Sequence, residues 1–310
     1  MSIQTITLKP VAPFQFHESI RQIESWSLSL VHAWTGETYF QSLSLDQFST
    51  VFSLTWNGSV EKPELALDVP SDLSVKQVEA VRQAVSRQFS LPYDLNRVIK
   101  SKTDPILKEL VKARWGYHPV IFPTPWECIA HSIISSQVSE RLTQRILESL
   151  MEQAGTHVHW QGMDFWCFPR PDQFAKLSET QLKSMSLSRQ KIDYLGGLSK
   201  RLAAGDLVFN DWFDLPSEEI LTRLQTIRGV GKFTAAFALP FGFGKLDARV
   251  PMEGGFRKVV DAVYGPESTT DSGWAILLDS WGEFRELAMF YVWSEYDRLK
   301  SEGKLPKKST

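Results

Sequence analysis

The chain has 310 residues, with 34 Lys and Arg against 36 Asp and Glu for a net charge of −2, and 43% of its residues are hydrophobic. This length predicts two or three domains with cores of ordinary size, because domains average roughly 100 to 200 residues. With only two cysteines, a disulfide framework is excluded as the main source of stability, and 12% of aromatic residues exclude a mostly disordered chain. The near-neutral charge argues against a protein that coats nucleic acid through the electrostatic field of the whole chain.

The first 98 residues predict an α+β domain. Short segments of alternating or β-rich character run through residues 3–8, 39–45, 48–56 and 65–69, with the turn signal Asn57-Gly58 before the last. One helical pattern covers residues 17–26, and another begins after Ser74. We therefore expect an antiparallel sheet packed against helices, in a region whose 7 basic and 10 acidic residues give a net charge of −3.

Beyond residue 95 the pattern becomes helical. Apolar residues recur at three- and four-residue intervals from Trp126 to Met151, with Pro125 at the helix entry. His157 and His159 fall in a polar stretch that predicts a loop, and they have no third ligand nearby, so they do not indicate a metal site. Further helices are indicated over residues 171–185, 189–204, 217–226, 233–241, 255–264 and 284–299.

The sequence predicts a soluble cytoplasmic protein. Cys128 and Cys167 form no CxxC pair, and no Cys/His cluster has zinc or iron–sulfur spacing. The first ten residues lack the basic and apolar regions of a secretory signal. The most apolar stretch, residues 233–244, is about half as long as the ~20 residues that a membrane span requires.

The most informative segment is LQTIRGVGKFTAA, residues 224–236. A helix is expected to end at Ile227 and another to begin near Lys232. Glycines at 229 and 231 permit positive φ angles and a close approach of the backbone. The free N–H groups at the start of the second helix would form an anion site that suits a DNA phosphate.

An isolated GxG is more often only a helix C-cap and a tight turn. Here the turn lies in a basic stretch, because residues 221–258 contain seven basic and two acidic residues for a net charge of +5. A basic stretch alone usually means a solvated surface, but its coincidence with a phosphate-type turn favours nucleic-acid binding.

The string LQTIRGVGKFTA resembles the helix-hairpin-helix of the base-excision DNA glycosylases. Residues 133–139, IISSQVS, which follow Trp126 and Glu127, are similar to the signature helix of that superfamily and the loop after it. Residues 167–171, CFPRP, resemble the segment before its next helix, and residues 290–293, FYVW, resemble its aromatic C-terminal helix. Together these motifs narrow the resemblance to the alkylbase branch, the DNA-3-methyladenine glycosylase II family, over nearly the whole chain.

This resemblance implies an α+β fold in which an N-terminal, TATA-binding-protein-like antiparallel sheet with helices precedes a two-lobed, all-helical helix-hairpin-helix glycosylase fold. We expect residues 1–98 to form the N-terminal domain and residues 120–245 to form the helical domain with the hairpin. Residues 99–119 and 246–310 would form the second helical domain. The active site would lie in the cleft between the helical lobes.

The family places a catalytic aspartate after a proline, about nineteen residues beyond the hairpin threonine. Counting from Thr234 reaches Glu253, two residues after Pro251, so the expected Asp is a Glu. A carboxylate there would stabilise the oxocarbenium-like sugar cation and orient or deprotonate the attacking water. Asp247 is the rival carboxylate, and a helix N-terminal cap is the alternative role for Glu253.

Two absences bear on the implied mechanism. Bifunctional relatives carry a Lys directly before the hairpin threonine as the nucleophile for a Schiff base, whereas this chain has Phe233. The resemblance therefore implies water as the nucleophile and no abasic-site lyase activity. The four cysteines of iron–sulfur members are missing, so no cofactor is expected, apart from a structural Na⁺ or K⁺ on the main-chain carbonyls of Gln225, Ile227 and Val230.

A base must leave the stacked duplex before its glycosidic bond can be reached. By resemblance, Gln137 in the loop after the signature helix is the wedge that fills the gap, and aromatic side chains hold the flipped base. Core packing is the competing interpretation for each aromatic residue. The implied DNA-binding residues are Gly229, Val230, Gly231, Lys232, Thr234 and Gln137, and the implied base-pocket residues are Phe237, Trp293, Trp126 and Phe233.

The expected function is that of a monofunctional DNA glycosylase that removes alkylated purines, 3-methyladenine above all, from double-stranded DNA in base excision repair. We expect a monomer with no membrane partner. Two alternatives stay open: a damaged-DNA sensor that binds without turnover, and a glycosylase for oxidised or deaminated bases.

Overall fold

The computed structural model describes residues 2–24, 30–45, 47–246 and 254–306. The buried apolar side chains of the described residues form three large clusters. The first lies between the N-terminal sheet and its helices, the second among the helices of residues 122–243, and the third among the C-terminal helices and residues 95–121. The predicted division into domains at residues 98, 119 and 245 stays a prediction.

The N-terminal sheet is antiparallel and packs its buried face on two helices. Ser74 caps the second helix, since its hydroxyl accepts a hydrogen bond from the Gln77 N–H while the Gln77 side chain accepts one from the Ser74 N–H. The strands are β1 (Ile3–Leu8), β2 (His32–Trp34), β3 (Thr38–Ser44), β4 (Ser49–Trp56) and β5 (Leu65–Pro70), in the order β1-β5-β4-β3-β2, and the helices are α1 (Phe16–Glu24) and α2 (Val75–Gln88).

The rest of the described chain is mainly helical, so the predicted α+β fold class is confirmed. Each of the predicted ranges 171–185 and 284–299 contains two helices, and the helices over residues 96–100, 105–113 and 271–281 were not predicted. In chain order the helices are α3 (Asn96–Lys100), α4 (Pro105–Ala113), α5 (Pro125–Ser135), α6 (Glu140–Ala154), α7 (Pro171–Phe174), α8 (Glu179–Ser184), α9 (Arg189–Ala204), α10 (Ser217–Gln225), α11 (Lys232–Phe243), α12 (Gly254–Tyr264), α13 (Asp271–Trp281), α14 (Arg285–Trp293) and α15 (Tyr296–Ser301).

The apolar pattern from Trp126 to Met151 is divided between two helices. Helix α5 ends at Ser135, and α6 begins after Ser139, whose hydroxyl accepts a hydrogen bond from the Leu142 N–H. The four residues between the helices, 136–139, form an exposed loop that we call the wedge loop. It contains Gln137 in the left-handed backbone region, with φ +56°.

Residues 157–166 form a β-hairpin where the sequence predicts a polar loop. Its strands are β6 (His157–Trp160) and β7 (Met163–Trp166). His157 Nε2 and His159 Nδ1 each lie 3.0 Å from the Asp164 carboxylate, and the hydrogen bond from His159 is the main reason that the pKa of Asp164 is lowered. No group of three or more His, Cys, Asp or Glu residues in the described ranges could hold a metal ion.

The hairpin packs on the N-terminal sheet. The Phe40 ring on β3 lies 6.2 Å from Trp160 and 6.4 Å from Phe165, between ring centres. The Ser42 hydroxyl donates to the Trp166 carbonyl at 2.9 Å, and the Ser44 hydroxyl donates to the Phe168 carbonyl. The hairpin therefore joins the helical part of the chain to the sheet.

Among the described helices, none combines the length and the apolar character that a bilayer crossing requires.

Candidate active site and nucleic-acid interface

The turn between α10 and α11 has the geometry of an anion site. Helix α10 ends at Gln225, and the Val230 N–H donates to the Ile227 carbonyl at 2.9 Å, with both of these side chains buried. The Ala235 N–H donates to the Gly231 carbonyl at 2.9 Å, which closes the first turn of α11. The N–H groups before Ala235 in α11 are therefore directed out of the helix end, where its dipole favours a negative charge.

The two glycines of this turn have different roles. Gly229 has φ +90°, and a Cβ atom there would overlap the Tyr194 ring of α9, so both the backbone and the space require glycine. Gly231 has φ −78°, and a Cβ atom there would meet nothing within 4 Å. Gly231 therefore does not use the positive φ that a glycine permits, because this residue is the extended N-cap of α11.

Much of the positive charge of the hairpin region is already paired. Among the described residues, Lys232 has no ion pair, and it lies exposed at the first position of α11. Lys232 is therefore the charge best placed to reach a bound phosphate. The ion-paired cations are Arg228 with Asp193 at 2.5 Å and Arg223 with Glu219 at 2.5 Å. The Lys245 ammonium has no ion pair among the described residues and donates to the Phe213 carbonyl at 2.8 Å.

Thr234 faces inward. It is 9% exposed, and its hydroxyl accepts a hydrogen bond from the Ser132 hydroxyl of α5 at 3.3 Å. The side chain of Thr234 therefore joins α11 to α5, and only its main-chain N–H belongs to the outward-facing helix end. The main-chain cation site expected at Gln225, Ile227 and Val230 stays a prediction, in a turn where the Ile227 carbonyl already accepts the Val230 N–H.

A column of aromatic rings runs from the exposed start of α11 to α14. Phe233, Phe237 and Phe241 occupy successive turns on one face of α11, with ring centres 6.3 Å and 4.5 Å apart. Phe241 then contacts the buried Phe290 of α14 at 4.9 Å. Because Phe233 is 49% exposed, the outer end of the column is open to a ligand.

Trp293 is the second exposed ring of this region, at 45%. It lies at the end of α14, one turn after Phe290, and stacks on Tyr296 with 5.2 Å between ring centres. A Cβ atom at Gly255 in the first turn of α12 would lie 3.2 Å from the Trp293 Cη2 atom. The small residue at 255 therefore lets the indole approach the start of α12.

The two candidate catalytic carboxylates, Glu253 and Asp247, lie outside the described residues. Gly254 is the first described residue after this gap and the first residue of α12. Glu253 therefore stands in the sequence two positions before Gly255, where a Cβ atom would meet the Trp293 ring.

The structure does not bring Trp126 into the exposed aromatic group. This indole is 5% exposed, its N–H donates to the Pro169 carbonyl at 2.9 Å, and it packs edge-on against Phe168 and Phe174. These contacts give Trp126 a place in the core, which was the competing interpretation.

Gln137 lies exposed in the wedge loop, and Lys191 supports this loop from α9. The Lys191 ammonium donates to the Ile134 carbonyl at 2.7 Å and to the Ser136 carbonyl at 2.8 Å. Sequence reasoning missed Lys191, because the two carbonyls belong to residues more than fifty positions away. The only sequence signal is a lysine in the first turn of an amphipathic helix, which is common.

A cavity of about 380 Å³ lies beside α5, between β3, the end of α2 and α6. Glu127 and His131, one turn apart on α5, line it together with Gln88. Burial raises the pKa of Glu127 to about 7 and lowers that of His131 to about 4. The His131 Nδ1 and Gln88 Oε1 atoms have no hydrogen-bond partner among the described residues. Buried polar atoms without a partner lower the stability of a fold and are uncommon, which sets this cavity apart.

A protein-family comparison matches residues 130–282 to the model described as HhH-GPD superfamily base excision DNA repair protein. This span begins in α5 and includes the wedge loop, the hairpin between α10 and α11, and α13.

Two relatives from Bacillus subtilis (strain 168) are similar to part of the chain. A DNA-3-methyladenine glycosylase is 24% identical over 162 residues, which are 52% of this chain and 54% of that protein. A putative DNA-3-methyladenine glycosylase is 23% identical over 188 residues, which are 61% and 62%. The chain thus spans a little more than half the length of the curated relatives that it matches.

Solved structures resemble the whole chain. A 3-methyladenine DNA-glycosylase from Archaeoglobus fulgidus gives a TM-score of 0.78 at 18% identity, over 94% of this chain and 98% of that one. An 8-oxoguanine glycosylase/lyase from Clostridium acetobutylicum, in complex with double-stranded DNA containing cytosine opposite 8-oxoG, gives 0.69 at 17% identity, over 98% and 99%. At these identities the likeness shows a shared fold.

Proposed function

We propose that this chain, whose residues 130–282 match the HhH-GPD superfamily of base excision DNA repair proteins, is a monofunctional DNA glycosylase that removes alkylated purines from double-stranded DNA. The observation that carries the proposal is the exposed indole of Trp293 beside the first turn of α12, directly after the predicted catalytic Glu253 in the sequence. The names of the two Bacillus relatives, a DNA-3-methyladenine glycosylase and a putative DNA-3-methyladenine glycosylase, support the substrate class.

The exposed rings suit the proposed substrate. Alkylation at a ring nitrogen gives a purine a positive charge, and a cation is attracted to the face of an indole or a phenyl ring by about 0.5 to 2 kcal/mol. Phe233 and Trp293 offer such faces at the outer ends of α11 and α14. The same positive charge makes the base a good leaving group, so the site requires a carboxylate for the sugar cation more than an acid for the base.

Positioning on DNA is assigned to the hairpin and the wedge loop. The outward N–H groups of α11 and the ammonium of Lys232 would hold one backbone phosphate without reading the sequence. Gln137 would enter the stack from the wedge loop while the damaged base leaves it. In the proposed reaction water is the nucleophile, because Phe233 stands where a lyase would require an amine.

The proposal is tested by the release of methylated bases from alkylated duplex DNA. We expect Glu253→Gln to reduce the single-turnover rate by about 10² to 10⁴, the usual contribution of a general base, and Asp247→Asn to have a much smaller effect. Asp271→Asn is the matched control, since Asp271 is an exposed acid in the first turn of another helix, α13. Full activity of Glu253→Gln with loss of activity in Asp247→Asn would reassign the catalytic carboxylate.

Two further measurements separate the competing functions. Borohydride trapping with an abasic duplex should give no covalent adduct, and an adduct would refute the monofunctional mechanism. Wild-type protein that binds lesion-containing DNA but releases no base from a panel of alkylated, oxidised and deaminated duplexes would instead be the damaged-DNA sensor. Release of only oxidised or deaminated bases would support a glycosylase activity but with a different substrate class.

A further inference from the structure

We propose that the first two turns of α9 are a positioning element that couples phosphate binding at the hairpin to insertion of Gln137; this inference rests on the proposed function. The element, which we call the α9 brace, consists of Lys191, Asp193 and Tyr194. Lys191 holds the wedge loop, while Asp193 and Tyr194 hold the hairpin turn.

The contact of Lys191 is specific to the end of α5. Its ammonium donates to the carbonyls of Ile134 and Ser136, at 2.7 Å and 2.8 Å. The last carbonyls of a helix have no hydrogen-bond donor within the helix and carry its partial negative charge. An ammonium group at this position both donates to the carbonyls and balances the charge. Because Ser136 is the first residue of the wedge loop, this contact fixes where the loop leaves the helix and therefore where Gln137 stands.

Gln137 needs such support because its backbone is unfavourable. A residue with a side chain at φ +56° is strained unless its surroundings hold it in place, and residues of this kind cluster at functional sites. The exposed loop offers Gln137 little packing of its own. The Ser136 hydroxyl donates to the Ile133 carbonyl at 2.8 Å, and the two carbonyl contacts of Lys191 add a restraint on the start of the loop from a second helix.

The other two residues of the α9 brace contact the hairpin. Asp193 forms an ion pair with Arg228 at 2.5 Å, and the Tyr194 ring covers the Cα face of Gly229, where a Cβ atom would overlap it. The Tyr194 hydroxyl accepts a hydrogen bond from the Gln190 side chain at 2.6 Å, which fixes the ring. Residues 191 and 194 lie on neighbouring positions of one helical face.

The consequence is geometric. The hairpin fixes the position of a DNA phosphate, and the wedge loop fixes the point at which a side chain enters the base stack. A displacement of about 1 Å between two such groups can reduce a rate by about 10²-fold. One rigid helical turn that contacts both groups keeps this distance constant. Lys191 is thus a positioning residue for Gln137, which itself touches the DNA.

The test is a double-mutant cycle between Lys191→Met and Gln137→Ala. We expect each single variant to reduce single-turnover base release by about 10- to 100-fold, and Lys191→Met to have almost no further effect in the Gln137→Ala background, because the lysine acts through the glutamine. Lys200→Met, an exposed lysine on the same helix, is the matched control and should behave like wild type. Fully multiplicative effects, or a Lys191→Met variant equal to the control, would overturn the proposal.

A second measurement does not require catalysis. The same four proteins are bound to a duplex with an abasic site beside 2-aminopurine, whose fluorescence reports local unstacking. We expect the same coupling in the fluorescence change, with salt-dependent affinity near the wild-type value because the phosphate site is intact. If wild type released no base but the variants showed this coupling, the role of the α9 brace would be supported and the proposed glycosylase activity would be refuted. If Lys191→Met does not fold, Lys191→Gln and Lys191→Arg enter the cycle, and absence of coupling there refutes the proposal.

Discussion

The buried carboxyl of Glu127 should make the protein less stable as the pH rises from about 4.5 to 7. Burial raises the pKa of this group from 4.5 to about 7, so the unfolded chain ionises Glu127 at a pH where the folded chain still holds the proton. Below pH 4.5 both states are protonated and the group has no effect. The cost to folding then increases with pH and is complete above pH 7.

The size of this cost follows from the two pKa values. They differ by about 2.5, and one pKa unit corresponds to about 1.4 kcal/mol, which sets an upper limit of about 3.5 kcal/mol. The cavity that Glu127 lines also has exposed residues of α6 at its wall, and water there would reduce the penalty. We therefore expect about 2 to 3 kcal/mol at pH 8 and less than about 1 kcal/mol at pH 5.

The assay is urea unfolding of wild type and Glu127→Gln at pH 5 and pH 8. The neutral amide resembles the protonated carboxyl, so the variant should be more stable than wild type by about 2 to 3 kcal/mol at pH 8 and nearly equal to it at pH 5. Glu152→Gln, an exposed acid on the neighbouring helix α6, is the control and should show no such change with pH. An equal stability difference at both pH values would refute the reasoning.

Three further predictions concern the glycine turn, the cavity and the aromatic column. Gly229→Ala should lower the free energy of unfolding by more than about 1 to 2 kcal/mol, because residue 229 has φ +90° and a Cβ atom there overlaps Tyr194. Gly231→Ala should change the free energy of unfolding by less than about 1 kcal/mol. Equal values for the two variants in urea unfolding would contradict this prediction. Burial lowers the pKa of His131 from 6.5 to about 4, so the free energy of unfolding of wild type should fall as the pH falls from 6.5 to 4. His131→Gln should lose less stability over this range. If the stabilities of the two proteins change with pH in parallel, the imidazole is not buried in its neutral form. Phe290→Ala should lower the free energy of unfolding by about 3 to 5 kcal/mol, because Phe290 is buried. Phe233→Ala should lower it by less than about 0.5 kcal/mol, because Phe233 is exposed, and should still slow base release. An unchanged rate of base release would show that Phe233 is not part of the base pocket.

Local signals in the sequence predicted the long elements well. Ser74 marks the start of α2, and the range 189–204 predicted from periodicity is that of α9. Both depend on a capping residue and an apolar stripe within one segment, which a sequence displays directly. The tight turn before α11 was visible in the same way, because glycine at 229 permits the positive φ that the structure has there.

Features that depend on distant residues were not predicted. Strands β6 and β7 have four residues each, and their rings at 160 and 165 pack on Phe40 of the N-terminal sheet, which the local sequence does not reveal. Trp126 could not be assigned to the core or the pocket until its hydrogen bond to Pro169 was known. The contacts of Lys191 with the wedge loop depend in the same way on how α9 packs against α5.

The β6–β7 hairpin also bears on how the protein unfolds. Its rings at 160 and 165 share one small core with Phe40 and Val51. The Ser42 hydroxyl donates to the last carbonyl of β7, and the Ser44 hydroxyl donates to the Phe168 carbonyl just after it. Removing the N-terminal sheet would leave these rings and carbonyls in water. Thermal melting should therefore be a single cooperative transition, and proteases that cut near residue 98 should release no separately stable helical fragment.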